Sequence, residues 1–429
     1  MEGALAISGA GINIRGMSKS FVESLQAYAR LAVHVGVNLQ KGQRLMVRAP
    51  IEAAPLVREI TACAYDAGAP LVSVLYHDDQ LSLARFQHAP KDSFETFPEW
   101  QADALLACAK RGDAFITVSG TDPDLLGSQN PDDVADAMRS GQKHMAPFMA
   151  YPMSDRVVWC VISMPIPAWA AKVFPGMSAE ESQLKLWDKI FTTCRVDQAD
   201  PVQAWKVHIA NLQLRSRYLN ERRFHTLHYR GPGTDLRLGL PAGHIWKSAE
   251  SVSTSGITFV PNMPTEEVFT LGDRNRADGV VKSSKPLNYG GTLIDDFSVT
   301  FSAGKAVQVT AKKGEATLRK LIETDEGSAR IGEIALVPHS SPISKSGLLF
   351  YNTLFDENAS CHLALGKAYR FTLEGGKEMD DVTFANAGGN NSLVHVDFMI
   401  GSPEMDIDGL DEHDRPEPIM RNGEWVTLP

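Results

Sequence analysis

The sequence predicts an α/β protein with an N-terminal α/β domain, whose sheet is largely parallel, and a C-terminal α+β catalytic domain rich in antiparallel strands. Strand-like and helix-like segments alternate up to about residue 200, whereas short β-rich segments broken by Gly, Pro and Asn dominate after about residue 225. The chain has 429 residues, which exceeds the size at which one hydrophobic core usually stops growing. We therefore expect two domains.

The N-terminal half follows a strand–helix–strand pattern that is typical of parallel sheets. Strands are predicted at 44–47, 70–76, 114–119 and 156–163, and helices at 54–67, 99–110 and 132–149. After these elements, the charged and amphipathic residues 203–223 predict a long helix between the domains.

The change of pattern places the domain boundary near residues 200–224, which gives domains at 17–210 and 211–429. Residues 1–16 precede a second plausible start at Met17. We predict that these 16 residues are an extension that is dispensable for folding and activity.

Charge and cysteine content restrict the partners and the compartment. The formal net charge of −10 disfavours nucleic acid as a partner, because nucleic-acid binding needs a basic surface. Five cysteines without CxxC spacing favour reduced thiols in the cytoplasm. Neither a secretory leader nor an apolar run of membrane-spanning length is evident. We predict a cytoplasmic protein that does not bind nucleic acid or membrane.

His395 and Asp397 are two residues apart in a strand-like run, so their side chains point to the same face. An imidazole and a carboxylate directed into one space suit a divalent cation. The same pair could instead be hydrogen-bonded inside a core. The spacing alone leaves both interpretations open.

A second group of candidate residues lies in the segment 355–369. Asn358 or Ser360 can cap a helix that begins there. On that helix His362 and Tyr369 would lie two turns apart on one face, and Glu357 would precede its first turn. Taken alone, such a histidine is more often packed in a core than bound to a metal.

Two further carboxylates, Glu267 and Glu333, each adjoin an apolar strand-like run. Burying a carboxylate is costly unless it is paired or metal-bound, although each could also be an exposed edge-strand residue. Combined with the residues above, they form a set of acidic and imidazole ligands from four segments that could surround two divalent cations. The candidate metal ligands are Glu267, Glu333, Glu357, His362, His395 and Asp397.

Long segments throughout the chain resemble the thermophilic-type aminopeptidases of peptidase family M29, along nearly the whole length from about residue 18. The segments are APKDSF (89–94), GTDPDLL (120–126), GPGTDLRLGL (231–240), PNMPTEEVFT (261–270), IGEIALVPHSSPI (331–343), LFYNTLFDENASCHLALGKAY (349–369) and HVDFMIGS (395–402).

The resemblance implies that the six candidate residues ligate a two-metal centre, with Tyr369 beside it as a further ligand or catalytic donor. Zinc, cobalt, manganese and magnesium all suit such mixed oxygen and nitrogen ligands. The resemblance further implies a homodimer whose active sites face an enclosed cavity. The expected substrates are short peptides with a free N-terminus.

The expected reaction is hydrolysis of the N-terminal peptide bond by a water that bridges the two cations. Glu333 and Glu357 are the candidates for the general base, and Tyr369 could donate a hydrogen bond to the oxyanion. These three residues are the predicted catalytic groups.

Two other functions compete with this prediction. An HxD pair with a distal histidine is also the ligand set of mononuclear iron oxygenases, but only His413 follows, and the acidic candidates would then have no role. The chain could also be a non-catalytic homologue that keeps the fold and binds peptide or metal, because a fold does not guarantee a function.

Overall fold

A computed structural model describes residues 19–289 and 292–427; the predicted extension at 1–16 lies outside the described residues. The chain divides into two compact units. The first contains the described residues up to Val207 together with Ser251–Met263, and the second contains His208–Glu250 and the described residues from Pro264 onward.

Helices and strands are numbered in chain order over the described residues. The α-helices are α1 (Phe21–Leu31), α2 (Ala54–Asp66), α3 (Asp79–His88), α4 (Glu99–Arg111), α5 (Pro131–Met149), α6 (Pro167–Val173), α7 (Ala179–Thr193), α8 (Pro201–Arg222), α9 (Glu315–Ile322), α10 (Pro342–Lys345), α11 (Thr353–Asp356) and α12 (Asp381–Asn386). The strands are β1 (Leu45–Pro50), β2 (Val72–His77), β3 (Ala114–Ser119), β4 (Trp159–Ser163), β5 (Thr226–Gly231), β6 (Thr234–Gly239), β7 (Ser251–Val252), β8 (Thr258–Phe259), β9 (Val268–Thr270), β10 (Ala277–Lys282), β11 (Leu287–Tyr289), β12 (Thr292–Ser302), β13 (Lys305–Lys313), β14 (Ile331–Leu336), β15 (His362–Gly366), β16 (His395–Met399), β17 (Asp406–Leu410), β18 (Pro416–Arg421) and β19 (Glu424–Trp425).

The first unit is built on a four-stranded sheet in the order β2-β1-β3-β4, with every pair parallel. The central strands bury apolar residues such as Val47 and Ile116 completely, as expected for a sheet covered on both faces. The predicted parallel sheet is therefore confirmed. Its predicted strands and helices match β1 to β4, α2, α4 and α5 with ends that shift by at most three residues.

The second unit contains a large antiparallel sheet in the order β11-β12-β10-β6-β5-β17-β18-β19, with β13 paired to β12. Buried and exposed residues alternate along its strands, as expected for a sheet with only one face on the core. On β6, Leu236 and Leu238 are buried, whereas Asp235 and Arg237 are exposed. The antiparallel character predicted for this half is confirmed.

A second, smaller sheet in this unit has the order β16-β15-β14-β9, and all of its pairs are antiparallel. Strands β14 and β15 are buried along their full lengths. All six candidate metal ligands lie on this sheet or directly beside it.

The helix predicted to begin at Asn358 or Ser360 is wrong. Glu357–Ala359 forms a single 3₁₀ turn, and His362 begins strand β15. Ala and Leu are good helix formers, but here β15 lies between two partner strands that satisfy its backbone hydrogen bonds, and all of its residues are buried. His362 and Tyr369 are therefore not neighbours on a helix face.

The long helix predicted at 203–223 is present as α8, and the division between the two units falls within it, between Val207 and His208. None of the helices in the described part of the chain combines the length and apolar character that crossing a bilayer requires.

Candidate metal centre

The register of the small sheet brings separate parts of the sequence into one row. Glu333 on β14 pairs with Ala364 on β15, which pairs with Asp397 on β16. Directly paired residues in an antiparallel sheet project from the same face. The two carboxylates therefore flank a central alanine on one face.

The two-residue repeat of a strand adds the remaining side chains to this face. His362 lies two residues from Ala364, and His395 lies two residues from Asp397. Glu267 lies two residues before Phe269, which pairs with Ala335 on β14. We call this surface the ligand face. Its residues are Glu267, Phe269, Glu333, Ala335, His362, Ala364, His395 and Asp397.

A β-bulge in β14 sets the position of Glu333. The register shifts between Ile331 and Glu333, so the intervening Gly332 is the extra residue. A Cβ atom on Gly332 would lie 2.2 Å from the carbonyl oxygen of Gly366. Only glycine therefore allows the close backbone approach that fixes this register.

The polar atoms of the ligand face approach one another closely. Nε2 of His362 lies 3.3 Å from Oε2 of Glu267 and 3.8 Å from Oε1 of Glu333. Nε2 of His395 lies 3.6 Å from Oε2 of Glu333 and 3.4 Å from Oδ1 of Asp397. Donor atoms of Glu267, Glu333 and His362 all lie within 4.8 Å of one another. Glu333 thus connects the two imidazoles.

Backbone carbonyls orient both imidazole rings. Nδ1 of His362 lies 3.2 Å from the carbonyl oxygen of Ser360, and Nδ1 of His395 lies 2.7 Å from that of Lys367. A carbonyl can only accept, so in each ring Nδ1 donates. In the neutral ring, Nε2 then carries the lone pair that a metal needs and faces the carboxylates.

Glu357 reaches the site from the 3₁₀ turn that precedes β15, and this turn packs against β16. Asn358 is fully buried and fixes the turn: its Nδ2 donates to the carbonyl of Leu354, and its Oδ1 accepts from the backbone N–H of Glu266 at 2.7 Å. One side chain therefore ties the turn that carries Glu357 to the segment that carries Glu267.

Tyr369 lies beside the ligand face, within an aromatic group. Its ring stacks on Phe371 with centroids 5.2 Å apart, lies 4.9 Å from the ring of His395, and meets Phe269 edge-on at 6.4 Å. Burial, followed by the charges of Glu333 and Asp397, raises the pKa of Tyr369 well above its usual value. The phenol is therefore protonated and can donate a hydrogen bond.

The electrostatics of the cluster favour added positive charge. Burial, followed by the charges of Glu267 and Asp397, raises the pKa of Glu357 well above its usual value. Burial also raises the pKa of Glu333. For His395, burial acts to lower the pKa, but Asp397 outweighs it and raises the pKa to about 10. Four carboxylates face only two imidazoles, so cations would relieve their mutual repulsion.

The donor set fits divalent cations on structural grounds. Within the described part of the chain, Oε2 of Glu333 and Oδ1 of Asp397 are buried and have no hydrogen-bond partner. Leaving such oxygens buried and unsatisfied is costly, and a bound cation would satisfy them. Mixed carboxylate and imidazole ligands are those that zinc, cobalt and manganese accept.

The structure brings together all six of the predicted ligands and Tyr369, and it leaves His413 elsewhere. His413 occupies the turn between β17 and β18, is 67% exposed, and pairs with Glu412 at 3.6 Å. It is therefore not on the ligand face with His395 and Asp397, as an iron-oxygenase triad would require.

Sequence reasoning missed the residues that shape the site without binding in it. These include the small side chains of Ala335 and Ala364, the bulge at Gly332, and the tie made by Asn358. The glycine directly before Glu333 could have indicated a bulge, since a glycine inside a strand often marks one. The role of Asn358 depends on a partner 92 residues away and has no local signal.

A buried cluster of carboxylates and imidazoles on one sheet face is the kind of site that binds divalent cations, and comparisons with known proteins identify the family. The profile of thermophilic metalloproteases (M29) matches residues 21–425. The chain belongs to this family, which confirms the resemblance seen in the sequence, and it is a metal-dependent hydrolase.

Relatives of known name agree with this assignment. Aminopeptidase AmpS of Bacillus subtilis (strain 168) is 48% identical over 95% of this chain and 99% of its own length. Aminopeptidase 2 of Geobacillus stearothermophilus is 46% identical over 94% of this chain and 98% of its own length. The solved structure of wild-type AmpT from Thermus thermophilus is 44% identical and superposes with a TM-score of 0.90, covering 95% of this chain and 100% of AmpT.

Proposed function

We propose that this chain is an aminopeptidase that removes N-terminal residues from short peptides and that its ligand face, together with Glu357, holds two divalent cations. The observation that carries the proposal is the convergence of Glu267, Glu333, His362, His395 and Asp397 on one sheet face. Six protein ligands would give each of two ions the three that catalytic zinc sites commonly have. Glu333, whose two oxygens face the two imidazoles, would hold a cation together with either of them.

Bound divalent cations would supply Lewis acidity, which lowers the pKa of water and polarises a peptide carbonyl. The protein itself must bind the substrate's free α-amine, accept the proton of the attacking water, and stabilise the charge that develops on the carbonyl oxygen. The relatives named as aminopeptidases favour exopeptidase over endopeptidase action for this chain.

Glu357 is the better suited of the two predicted bases. Its closest hydrogen-bonding partner among the described residues is Nδ2 of Asn358, at 3.4 Å from Oε1. One oxygen can therefore serve as a ligand while the other accepts a proton. As water adds to the carbonyl carbon, Glu357 takes its proton; when the C–N bond breaks, that proton passes to the leaving amine.

We infer that Tyr369 donates a hydrogen bond to the substrate. Its stacking on Phe371 and its contact with His395 restrict the ring, and its phenol is protonated. A fixed O–H donor beside the ligand face can stabilise the oxyanion formed on the scissile carbonyl. We assign this role to Tyr369.

The test is hydrolysis of a short peptide with a free N-terminus and of the same peptide N-acetylated, each with and without a chelator. We expect release of the free N-terminal residue, loss of activity with chelator, recovery with added zinc, cobalt, manganese or magnesium, and resistance of the acetylated peptide. Equal cleavage of both peptides would contradict aminopeptidase action. Binding of metal and peptide without any hydrolysis would favour the non-catalytic homologue.

The assembly and the compartment remain proposals that follow from the family resemblance and the composition. We propose a homodimer in the cytoplasm. Size-exclusion chromatography with light scattering would test the homodimer, since a mass near that of one chain would contradict it.

A further inference from the structure

A cavity of about 170 Å³ opens in the second unit next to Asp397. Three leucines, Leu287, Leu293 and Leu349, are among the residues that line it and supply aliphatic wall. The only lysine among its lining residues is Lys285. A candidate metal ligand, aliphatic side chains and one ammonium group therefore line the same cavity. The cavity can hold more than one water molecule, since each occupies roughly 30 Å³.

The backbone holds Lys285 in this position. The preceding N–H, that of Ser284, donates to the carbonyl oxygen of Met399 at 2.8 Å, which fixes the connection between β10 and β11 against the end of β16. Met399 is itself two residues from Asp397 and also lines the cavity. Lys285 is thus presented to the cavity by a hydrogen-bonded loop.

The ammonium of Lys285 has no hydrogen bond or ion pair with any residue that the structure describes, and the side chain is partly buried. The nearest influence is the charge of Asp356. Both oxygens of Asp356 already accept backbone N–H groups, from Phe350 at 2.8 Å and from Asn352 at 3.1 Å. An ammonium has three donors and no acceptor, so Lys285, although it faces the charge of Asp356, keeps donors for an oxygen of a ligand.

The chemistry of a peptide substrate limits which of its groups the ammonium of Lys285 can bind. The α-ammonium of the substrate is repelled by Lys285, so the lysine must meet an oxygen. A carboxylate gives a charge-assisted hydrogen bond, which is roughly twice as strong as a neutral one. In a dipeptide, the carboxylate lies one residue beyond the scissile bond, a span of at most about 3.6 Å. The aliphatic wall would accept the side chain of that residue.

We propose that Lys285 binds the free C-terminal carboxylate of very short peptides and that the cavity beside Asp397 holds the residue after the scissile bond. This inference rests on the proposed metal centre on the ligand face. It assigns a preference for dipeptides over longer or C-terminally blocked substrates to one side chain.

The test compares a dipeptide with the same dipeptide carrying a C-terminal amide. In wild type, we expect the free dipeptide to have a kcat/KM about 10-fold higher than the amide, because only it forms the charge-assisted bond. In Lys285→Met, the free dipeptide should lose about this factor, mainly through a higher KM, while the amide changes less than about twofold. Lys285→Arg should keep most of the preference.

Lys282→Met is the matched control, because Lys282 ends β10, the strand that precedes Lys285, and pairs with Asp296 at 2.9 Å outside the cavity. It should leave both substrates unchanged. Equal loss on both substrates in Lys285→Met would show that the lysine only balances charge, and no loss on either would show that it does not contact substrate. Both results overturn the proposal.

Equal wild-type rates on acid and amide would overturn it without any variant, so the test does not depend on the variant folding. If wild type releases no N-terminal residue from either compound, the proposed function fails first, and the inference fails with it.

Discussion

Replacing Glu333 with glutamine should separate the metal role of this side chain from any role in packing. Glu333 is 5% exposed on an interior strand, so it is not the exposed edge-strand residue that its sequence position also allowed. Glutamine keeps the size and one acceptor but removes the charge. The change therefore tests electrostatics at nearly constant shape.

The expected size of the effect follows from the contacts of Glu333. Its two oxygens face Nε2 of His362 and Nε2 of His395, so its loss affects both halves of the donor set. If cation affinity falls by about 100-fold, a metal concentration that gives wild type about 2.7 kcal/mol of added stability gives the variant less than about 0.5 kcal/mol. Turnover should fall by at least about 100-fold.

The metal-free proteins should behave in the opposite sense. Burial raises the pKa of Glu333, so its ionised form costs stability at neutral pH when no cation offsets it. Glutamine removes that cost. With chelator present, Glu333→Gln should therefore unfold at a temperature no lower than that of wild type, whereas with metal present it should unfold at a lower one.

The assay combines bound metal by mass spectrometry, peptide turnover, and melting temperature with and without chelator. Glu404→Gln is the control, because Glu404 is an exposed glutamate of the same unit. Near-normal metal content and turnover in Glu333→Gln would remove this residue from the site. A large drop in the melting temperature of the metal-free variant would instead indicate a packing role.

Three further predictions concern the surroundings of the site. Gly332→Ala should destabilise the protein by about 1–3 kcal/mol in urea unfolding and lower its activity, because the new Cβ would lie 2.2 Å from a carbonyl oxygen. Gly141→Ala, in α5, is the control and should not destabilise, because its new Cβ would meet only the ring of Phe97, at 3.9 Å. Equal effects of the two substitutions would refute the role of the bulge. Asp325→Asn should cost about 1–2 kcal/mol at pH 7. Burial acts to raise the pKa of Asp325, but hydrogen bonds such as that from the N–H of Leu393 outweigh it and lower the pKa. The stability that the ionised carboxylate contributes should therefore be fully present above roughly pH 4 and be lost as the pH falls through the lowered pKa of the folded protein. A difference between Asp325→Asn and wild type that does not change with pH would contradict this. Tyr369→Phe should lower kcat by about 100-fold with metal content unchanged, and an unchanged kcat would exclude the oxyanion role.

The parts of the fold that could be predicted are those with a local pattern. The alternation of strands and helices predicted β1 to β4 and their parallel direction, because a helix that crosses over between two strands returns the chain in the same direction. The spacing of His395 and Asp397 predicted a shared face for the same reason, since a strand repeats every two residues.

The strand that begins at His362 could not be predicted from local propensity. Its Ala and Leu residues favour a helix, and only pairing with β14 and β16 makes it a strand. The error moved His362 relative to Tyr369, but it did not change the set of candidate ligands, because that set came from residue chemistry rather than from the helix.

The register and the long-range ties were also beyond the sequence. The pairing of Glu333 with Ala364 depends on the bulge at Gly332, and a slip by one residue would move the carboxylate to the opposite face. The cavity at Lys285 depends on a backbone hydrogen bond to Met399, more than 100 residues away. Gly332 could indicate a bulge but not the partner residue that Glu333 faces, and the hydrogen bond to Met399 has no signature in the residues nearby.

The central claim is that one face of a four-stranded sheet, completed by Glu357, holds two divalent cations. The most direct test is the number and position of metal ions in the purified, active protein, from mass spectrometry of the metal content and anomalous diffraction at the metal edge. We predict two ions per chain, with Glu333 between them and both imidazoles bound through Nε2. A single ion, or ions bound away from the ligand face in an active enzyme, would contradict the account.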